Sequence, residues 1–173
     1  PSDKNELFHW ILTLAIAVII ALCVNRFVLV NAEIPSGSME NTIMTGDRVF
    51  GNRLAYIFGE PKRFDIIIFR YPDDEKQLFI KRIIGLPGET VEIHDGQIFI
   101  DGSKTPLKDV TTKEFMQGSF GPYTVPDNCY FVMGDNRNNS KDSRYWEHTF
   151  VTDDEIVGKA FLRYWPLNKI KFL

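Results

Sequence analysis

A mainly β fold, barrel-like or coiled, with one N-terminal transmembrane helix is the architecture this sequence predicts. Three observations lead there. A single uncharged apolar run stands near the N-terminus of the 173-residue chain, over residues 7–24. Beyond Ile34, short runs rich in Ile, Val, Phe and Tyr alternate with Gly, Pro and Asp turns, the pattern of strands. No long segment of helical period interrupts them, so the part after the anchor should be a sheet structure closed on itself or packed as a sandwich.

The first element is the run LFHWILTLAIAVIIALCV. As a helix of about 18 residues it is roughly 27 Å long, close to the hydrocarbon thickness of a bilayer. Trp10 at one end and Asn25-Arg26 at the other suit the two interfaces. A buried core helix and a cleaved secretory signal are the alternatives. The run is long for a signal, and Val30-Asn31-Ala32 matches a cleavage site poorly. An uncleaved anchor is therefore expected over residues 1–31, with its transmembrane helix at about 7–24. Asp3, Lys4 and Glu6 on the N-terminal flank leave its orientation open. The first residue is Pro1 rather than Met, so the sequence is expected to start downstream of the true N-terminus.

A second apolar burst, residues 27–30, follows at once. Strands are then expected over 47–56, 64–71, 78–84, 90–93, 97–100, 128–133 and 156–164. Asp95-Gly96 between the fourth and fifth is a hairpin signal, because both central residues of that turn need positive φ. Residues 103–124 mix polar, Gly and Pro residues without a period and read as a long loop. Residues 32–173 form the expected β-rich domain.

Composition narrows the function. A net charge of −3 without a clustered basic patch argues against nucleic acid as a partner. His9, His94 and His148 have no metal-ligand spacing, so neither a metal nor another cofactor is expected. Cys23 lies in the apolar run and Cys129 far away in a polar context, so no disulfide framework is encoded.

Three segments carry chemistry. Pro35-Ser36-Gly37-Ser38-Met39 sets a serine on a glycine turn directly after the anchor. Such a turn presents a hydroxyl and aims backbone N–H groups at an oxyanion, though Pro, Ser and Gly also make ordinary turns. Lys81 sits in LFIKRII, where alternation puts Phe79, Lys81 and Ile83 on one face and Ile80, Arg82 and Ile84 on the other. Both faces are otherwise apolar, as in an inner strand. Lys81 is then either desolvated, with a lowered pKa suited to a base, or snorkels out at a strand end. Arg82 keeps its charge and needs a carboxylate partner. The third segment, residues 134–146, is GDNRNNSKDSRYW. It is either a solvated loop or a dense hydrogen-bonded network. Arg137 stands where an oxygen ligand would be needed, so it is no calcium loop. A serine on a glycine turn and a buried lysine together meet the needs of a Ser–Lys variant of the catalytic triad.

These segments resemble the bacterial type I signal peptidases. The matching pieces are residues 35–39, Gly46-Asp47 with Val49, residues 81–88 and residues 134–146, in that order after an anchor. The resemblance covers nearly the whole chain. It implies a mainly β catalytic domain with an apolar surface beside the membrane. It also implies cleavage of signal peptides from exported preproteins after small residues at −1 and −3. By the same resemblance Ser38 is the nucleophile and Lys81 the general base. Ser140 orients the lysine, and the Ser38 N–H with the Ser36 hydroxyl forms the oxyanion hole. Ile34, Met39, Ile43, Phe79 and Ile80 line the substrate pockets. Arg82, Asp135, Asp142 and Arg144 form supporting ion pairs. The partners are then signal-peptide-bearing preproteins and the lipid bilayer. The location is the cell membrane, single-pass, with the catalytic domain on the extracytoplasmic side. Glu40-Asn41-Thr42 departs from the family, which commonly has Pro before Thr. Two rival readings are a self-cleaving Ser–Lys repressor and a catalytically idle membrane-tethered binding module.

Overall fold

The computed structural model describes residues 2–109 and 115–173, with side chains from residue 5 onward. Helix α1 spans Ser2–Cys23 and loosens into a wider π turn over Val24–Val28. From Asn5 to Val28 the segment is long and apolar enough to cross a membrane, and none of it is buried against the rest of the chain. A helix apolar on all sides needs a solvent other than water.

The π turn runs straight into strand β1, Leu29–Glu33, with no connecting loop. Arg53 fixes the junction: its backbone N–H donates to the Val28 carbonyl and its Nε to the Leu29 carbonyl, at 2.8 and 3.0 Å. The expected boundary at residue 31 thus falls inside a strand.

β1 opens a large antiparallel sheet with β2 (Arg48–Asn52), β10 (Ile156–Trp165), β3 (Ile66–Tyr71), β4 (Asp74–Gly85), β8 (Cys129–Met133) and β9 (Val151–Thr152), adjacent in that order. A short β11, Lys171–Phe172, pairs with β10 beside this path. A second sheet orders β6 (Gln97–Ile100), β5 (Thr90–His94) and β7 (Phe120–Thr124). Every strand in the expected list is present, with ends moved by local chemistry. The first stops at Asn52, whose side chain caps the Leu54 N–H at 2.9 Å. The second starts at Ile66, because Phe64 takes φ of 70°. Asp95 and Gly96 turn the β5–β6 hairpin at φ of 51° and 71°.

Four strands fall outside the expected list: β1, β7 and the two-residue β9 and β11. β1 was hidden because residues 27–30 continue the apolar texture of the anchor. β7 lies within residues 103–124, expected as loop, and carries Gly121 and Pro122, both poor strand formers tolerated on this sheet edge. Residues 110–114 of that expected loop lie outside the described residues.

Three apolar clusters fill the interior. Val30, Ile34, Met39, Ile43, Val49 and Ile80 belong to one. Phe69, Tyr71, Ile83 and Trp146 belong to a second, aromatic one, where Tyr71 and Phe79 stack with ring centroids 4.4 Å apart. Ile84, Val91, Phe131 and Met133 join the two sheets. β4 contributes Ile80, Ile83 and Ile84 to three different clusters. It is an inner strand, held between β3 and β8.

Candidate active site

After β1 the chain turns sharply. The Ile34 N–H donates to the Asp47 carbonyl, and the Gly46 N–H returns to the Ile34 carbonyl, at 3.0 and 2.8 Å. Ser36 remains extended, and Gly37–Met39 forms one 3₁₀ turn. Ser38 sits in that turn with only 7% of its surface exposed.

Lys81 comes to it from β4, paired across the sheet with Ile67. Its Nζ donates to Ser38 Oγ at 2.8 Å and to the Ile80 carbonyl at 3.1 Å. Lys81 is 4% exposed, which removes the snorkelling alternative. The face of Phe79 lies 5.3 Å from Nζ. Burial pushes the Lys81 pKa down from 10.5 to about 8, against the opposing pull of the Asp142 and Asp135 carboxylates.

Residues 134–146 are a largely buried network rather than a solvated loop, with Asn138, Asn139, Lys141 and Tyr145 at its exposed edge. Asp135, Asp142 and Ser143 are almost wholly buried, and Arg137 and Arg144 nearly so. Arg82 grips Asp135 with Nε and Nη2, at 2.8 and 2.6 Å. Arg144 grips Asp142 in the same two-pronged way, at 2.8 and 2.9 Å. Both buried carboxylates are therefore committed to arginines, and Lys81 has no direct anionic partner among the described residues. Asp142 also accepts the Gly134 N–H, and Ser143 Oγ accepts the Val132 N–H, both at 3.0 Å.

This network abuts the serine turn. Asn136 donates its backbone N–H to the Ser38 carbonyl and its Nδ2 to the Gly37 carbonyl, each at 3.0 Å. Thr42, just past the turn, donates to Asp135. Gly134 permits the contact: a Cβ there would lie 2.3 Å from both the Ser38 carbonyl oxygen and Ser140 Oγ.

Other expected residues fall less simply. Ser36 Oγ lies 3.4 Å from Ser38 Oγ, on the same side of the turn. Ser140 Oγ is buried and has no hydrogen-bond partner among the described residues, so it does not touch Lys81 in this arrangement. A cleft of about 550 Å³ opens over the pair, lined by Ile34, Ser36, Ser38, Phe79, Ile80 and Lys81 among others. Met39 and Ile43 do not line it; they are fully buried in the core cluster beneath. Ile68, Asn139 and Lys141 line it and had no signal of their own in the sequence.

Chemically, a buried serine beside an amine of lowered pKa can act as a base-assisted nucleophile. The sequence pattern of the family described as "Signal peptidase, peptidase S26" matches residues 7–165. The chain is 38% identical over 177 residues to Signal peptidase I of Leptolyngbya laminosa, covering 98% of this chain and 85% of that one. It is 37% identical over 179 residues to Signal peptidase I S of Bacillus subtilis strain 168, covering 98% and 95%. A crystal structure of a signal peptidase I from Enterococcus faecalis V583 is similar at 37% identity and a TM-score of 0.50. The match covers 58% of this chain and 96% of that one.

Proposed function

Because this chain belongs to the signal peptidases of peptidase family S26, serine endopeptidases that remove signal peptides, we propose that Ser38 is its nucleophile and Lys81 its general base. The observation that carries the assignment is the 2.8 Å contact between Lys81 Nζ and Ser38 Oγ inside a dry site. An uncharged amine has a lone pair for the Ser38 proton. Oγ then attacks the scissile carbonyl carbon, and the carbonyl oxygen becomes an oxyanion facing the Ser38 N–H and the Ser36 hydroxyl. Collapse breaks the C–N bond, and the Lys81 ammonium gives its proton to the departing amine. The remaining acyl-enzyme ester is hydrolysed by water, with Lys81 again accepting a proton.

The two arginine–aspartate pairs support this chemistry by keeping carboxylates away from the amine. The apolar cleft floor of Ile34, Ile68 and Ile80 suits the small residues at −1 and −3 that the resemblance implies. Ser140 belongs to the support of Lys81 through its packing between Gly134 and the turn, a role that needs its hydroxyl to rotate toward Nζ.

The functional division is an anchor over residues 1–31 and a catalytic domain over 32–173. The substrates are preproteins, the second partner is the bilayer, and the catalytic domain faces outward. Cleavage of a purified preprotein by wild type, Ser38→Ala and Lys81→Ala tests the chemistry; undiminished turnover by either variant would remove the dyad. Protease added to intact cells tests the sidedness, since the domain should be digested there and protected in inverted vesicles.

A further inference from the structure

We propose that Asn136 is a positioning residue for this reaction, orienting the peptide planes on both sides of Ser38. The proposal rests on the reading of Ser38 as nucleophile and of its N–H as an oxyanion donor. A trans peptide is planar, so the Gly37 carbonyl and the Ser38 N–H point in opposite directions within one rigid unit. A donor fixed on that carbonyl thereby aims the N–H. Asn136 Nδ2 is such a donor, at 3.0 Å, and joins the Glu40 N–H of the 3₁₀ turn, at 3.1 Å, on that oxygen. The next plane carries the Ser38 carbonyl, and the Asn136 backbone N–H holds it, also at 3.0 Å. One residue outside the turn thus braces the planes on either side of the Ser38 Cα, and with them the direction of its Cα–Cβ bond.

The chemistry of the surroundings calls for an amide here. Nδ2 faces two acceptors, the Gly37 carbonyl and Glu40 Oε2, the latter at 3.5 Å. Turned the other way, the side-chain oxygen would face both of them with no proton between. Glu40 is itself held, with Oε1 accepting from Thr45 Oγ1 at 3.3 Å. Asn136 is in turn anchored from behind, its carbonyl accepting the Asn139 N–H at 3.0 Å, while its neighbour Asp135 is clamped by Arg82. The turn is therefore braced against the buried network through Asn136, and Lys81 takes no part in the brace.

That separation yields a distinctive kinetic signature. An interaction that directs the oxyanion donor acts in the transition state, so its loss lowers kcat rather than raising KM. Removing the side chain as Asn136→Ala adds no charge and leaves the basicity of Lys81 untouched. The test uses the full chain in detergent micelles with a preprotein substrate and, separately, a peptide boronate that forms a tetrahedral adduct on serine. Asn136→Asp keeps the shape and the backbone N–H but replaces the donor with a carboxylate; Asn136→Ala removes the side chain. Each is assayed at a temperature where its melting curve shows it folded, beside Ser38→Ala.

For both variants the expected result is a kcat lower by about ten- to hundredfold, in line with loss of one oxyanion-directing contact. KM should stay within about threefold, boronate affinity should fall with kcat, and the rising pH limb of Asn136→Ala, which adds no charge near Lys81, should not move. A kcat within about twofold of wild type, a loss carried by KM alone, or a displaced pH limb in Asn136→Ala would each overturn the proposal. Turnover by Ser38→Ala would instead bring down the underlying nucleophile assignment, and is read separately.

Discussion

Arg82 and Lys81 are consecutive in β4, yet among the described residues one is fully engaged by a carboxylate and the other by none. Arg82 makes two hydrogen bonds to Asp135, while Lys81 Nζ donates to Ser38 Oγ and the Ile80 carbonyl. Alternation of strand faces separates the two cations, so the permanent charge takes the anion and the titratable amine is left dry. Activity should therefore rise with pH through an apparent value near the lowered Lys81 pKa of about 8. Lys81→Arg should be inactive at every accessible pH, since guanidinium keeps its proton. Measured pH–rate profiles of both proteins decide this; substantial turnover by Lys81→Arg would end the general-base role.

The same lowered pKa makes a stability prediction. Below pH 8 the folded and unfolded chains both carry the Lys81 proton, and the folded one bears the cost of a buried ammonium. Displacement from 10.5 to about 8 corresponds to about 3 kcal/mol. Between those values the folded chain has released the proton and the unfolded chain has not, so stability climbs with pH. Lys81→Met should then be inactive but more stable at neutral pH, by up to about 3 kcal/mol, with the gain fading toward pH 10.5. Denaturation curves from pH 6 to 10.5 check this, and a gain that does not depend on pH would contradict it.

Ser38→Ala should retain the wild-type melting curve and lose at least about 10³-fold in turnover. The side chain is small and, among the described residues, its hydroxyl has no structural partner beyond Lys81 and Ser36. Turnover within about tenfold of wild type would refute the assignment.

Asp142→Ala strips the partner from Arg144 deep in the protein and also frees the Gly134 N–H. A loss of about 3–5 kcal/mol is expected. Chemical denaturation should register it, and a loss below 1 kcal/mol would mean that water reaches the guanidinium.

Gly134→Ala places a methyl 2.3 Å from the Ser38 carbonyl oxygen and Ser140 Oγ. Overpacking of this kind costs about 1–3 kcal/mol. Here the atom that must yield is backbone of the nucleophile turn, so turnover should fall at least about tenfold even where the variant is fully folded. Parallel melting and rate measurements separate the two effects.

Much of this arrangement could be read from one dimension. The LFIKRII alternation placed Lys81 beside Phe79 on an inner strand, and Asp95-Gly96 marked its hairpin, because both signals are local and periodic. The membership of β1 was not readable, since an apolar strand that continues an apolar anchor has no boundary of its own. Nor was the burial of residues 134–146. Their charges are neutralised partly within the segment, as in Arg144–Asp142, and partly by Arg82, 53 positions before Asp135. Only folding brings that partner in. Met39 and Ile43 were expected in the cleft and lie under it, because the 3₁₀ turn ending at Met39 and the turn that follows, closed by the Ile43 N–H on the Met39 carbonyl, do not alternate side chains as a strand does. The repressor alternative does not survive the match to the signal peptidase family over residues 7–165.

The loop-free passage from Val28 into β1, clamped by Arg53, gives the molecule a fixed height. A tether with slack would let the cleft wander; here the last turn of the helix and the first strand of the sheet are one stiff piece. Ten residues separate Val28 from Ser38, a reach of at most about 36 Å even if fully extended. With the helix seated in a bilayer, Ser38 stays within that reach of its surface. On the proposed reading of Ser38, a scissile bond has to come that near the membrane, whatever its sequence.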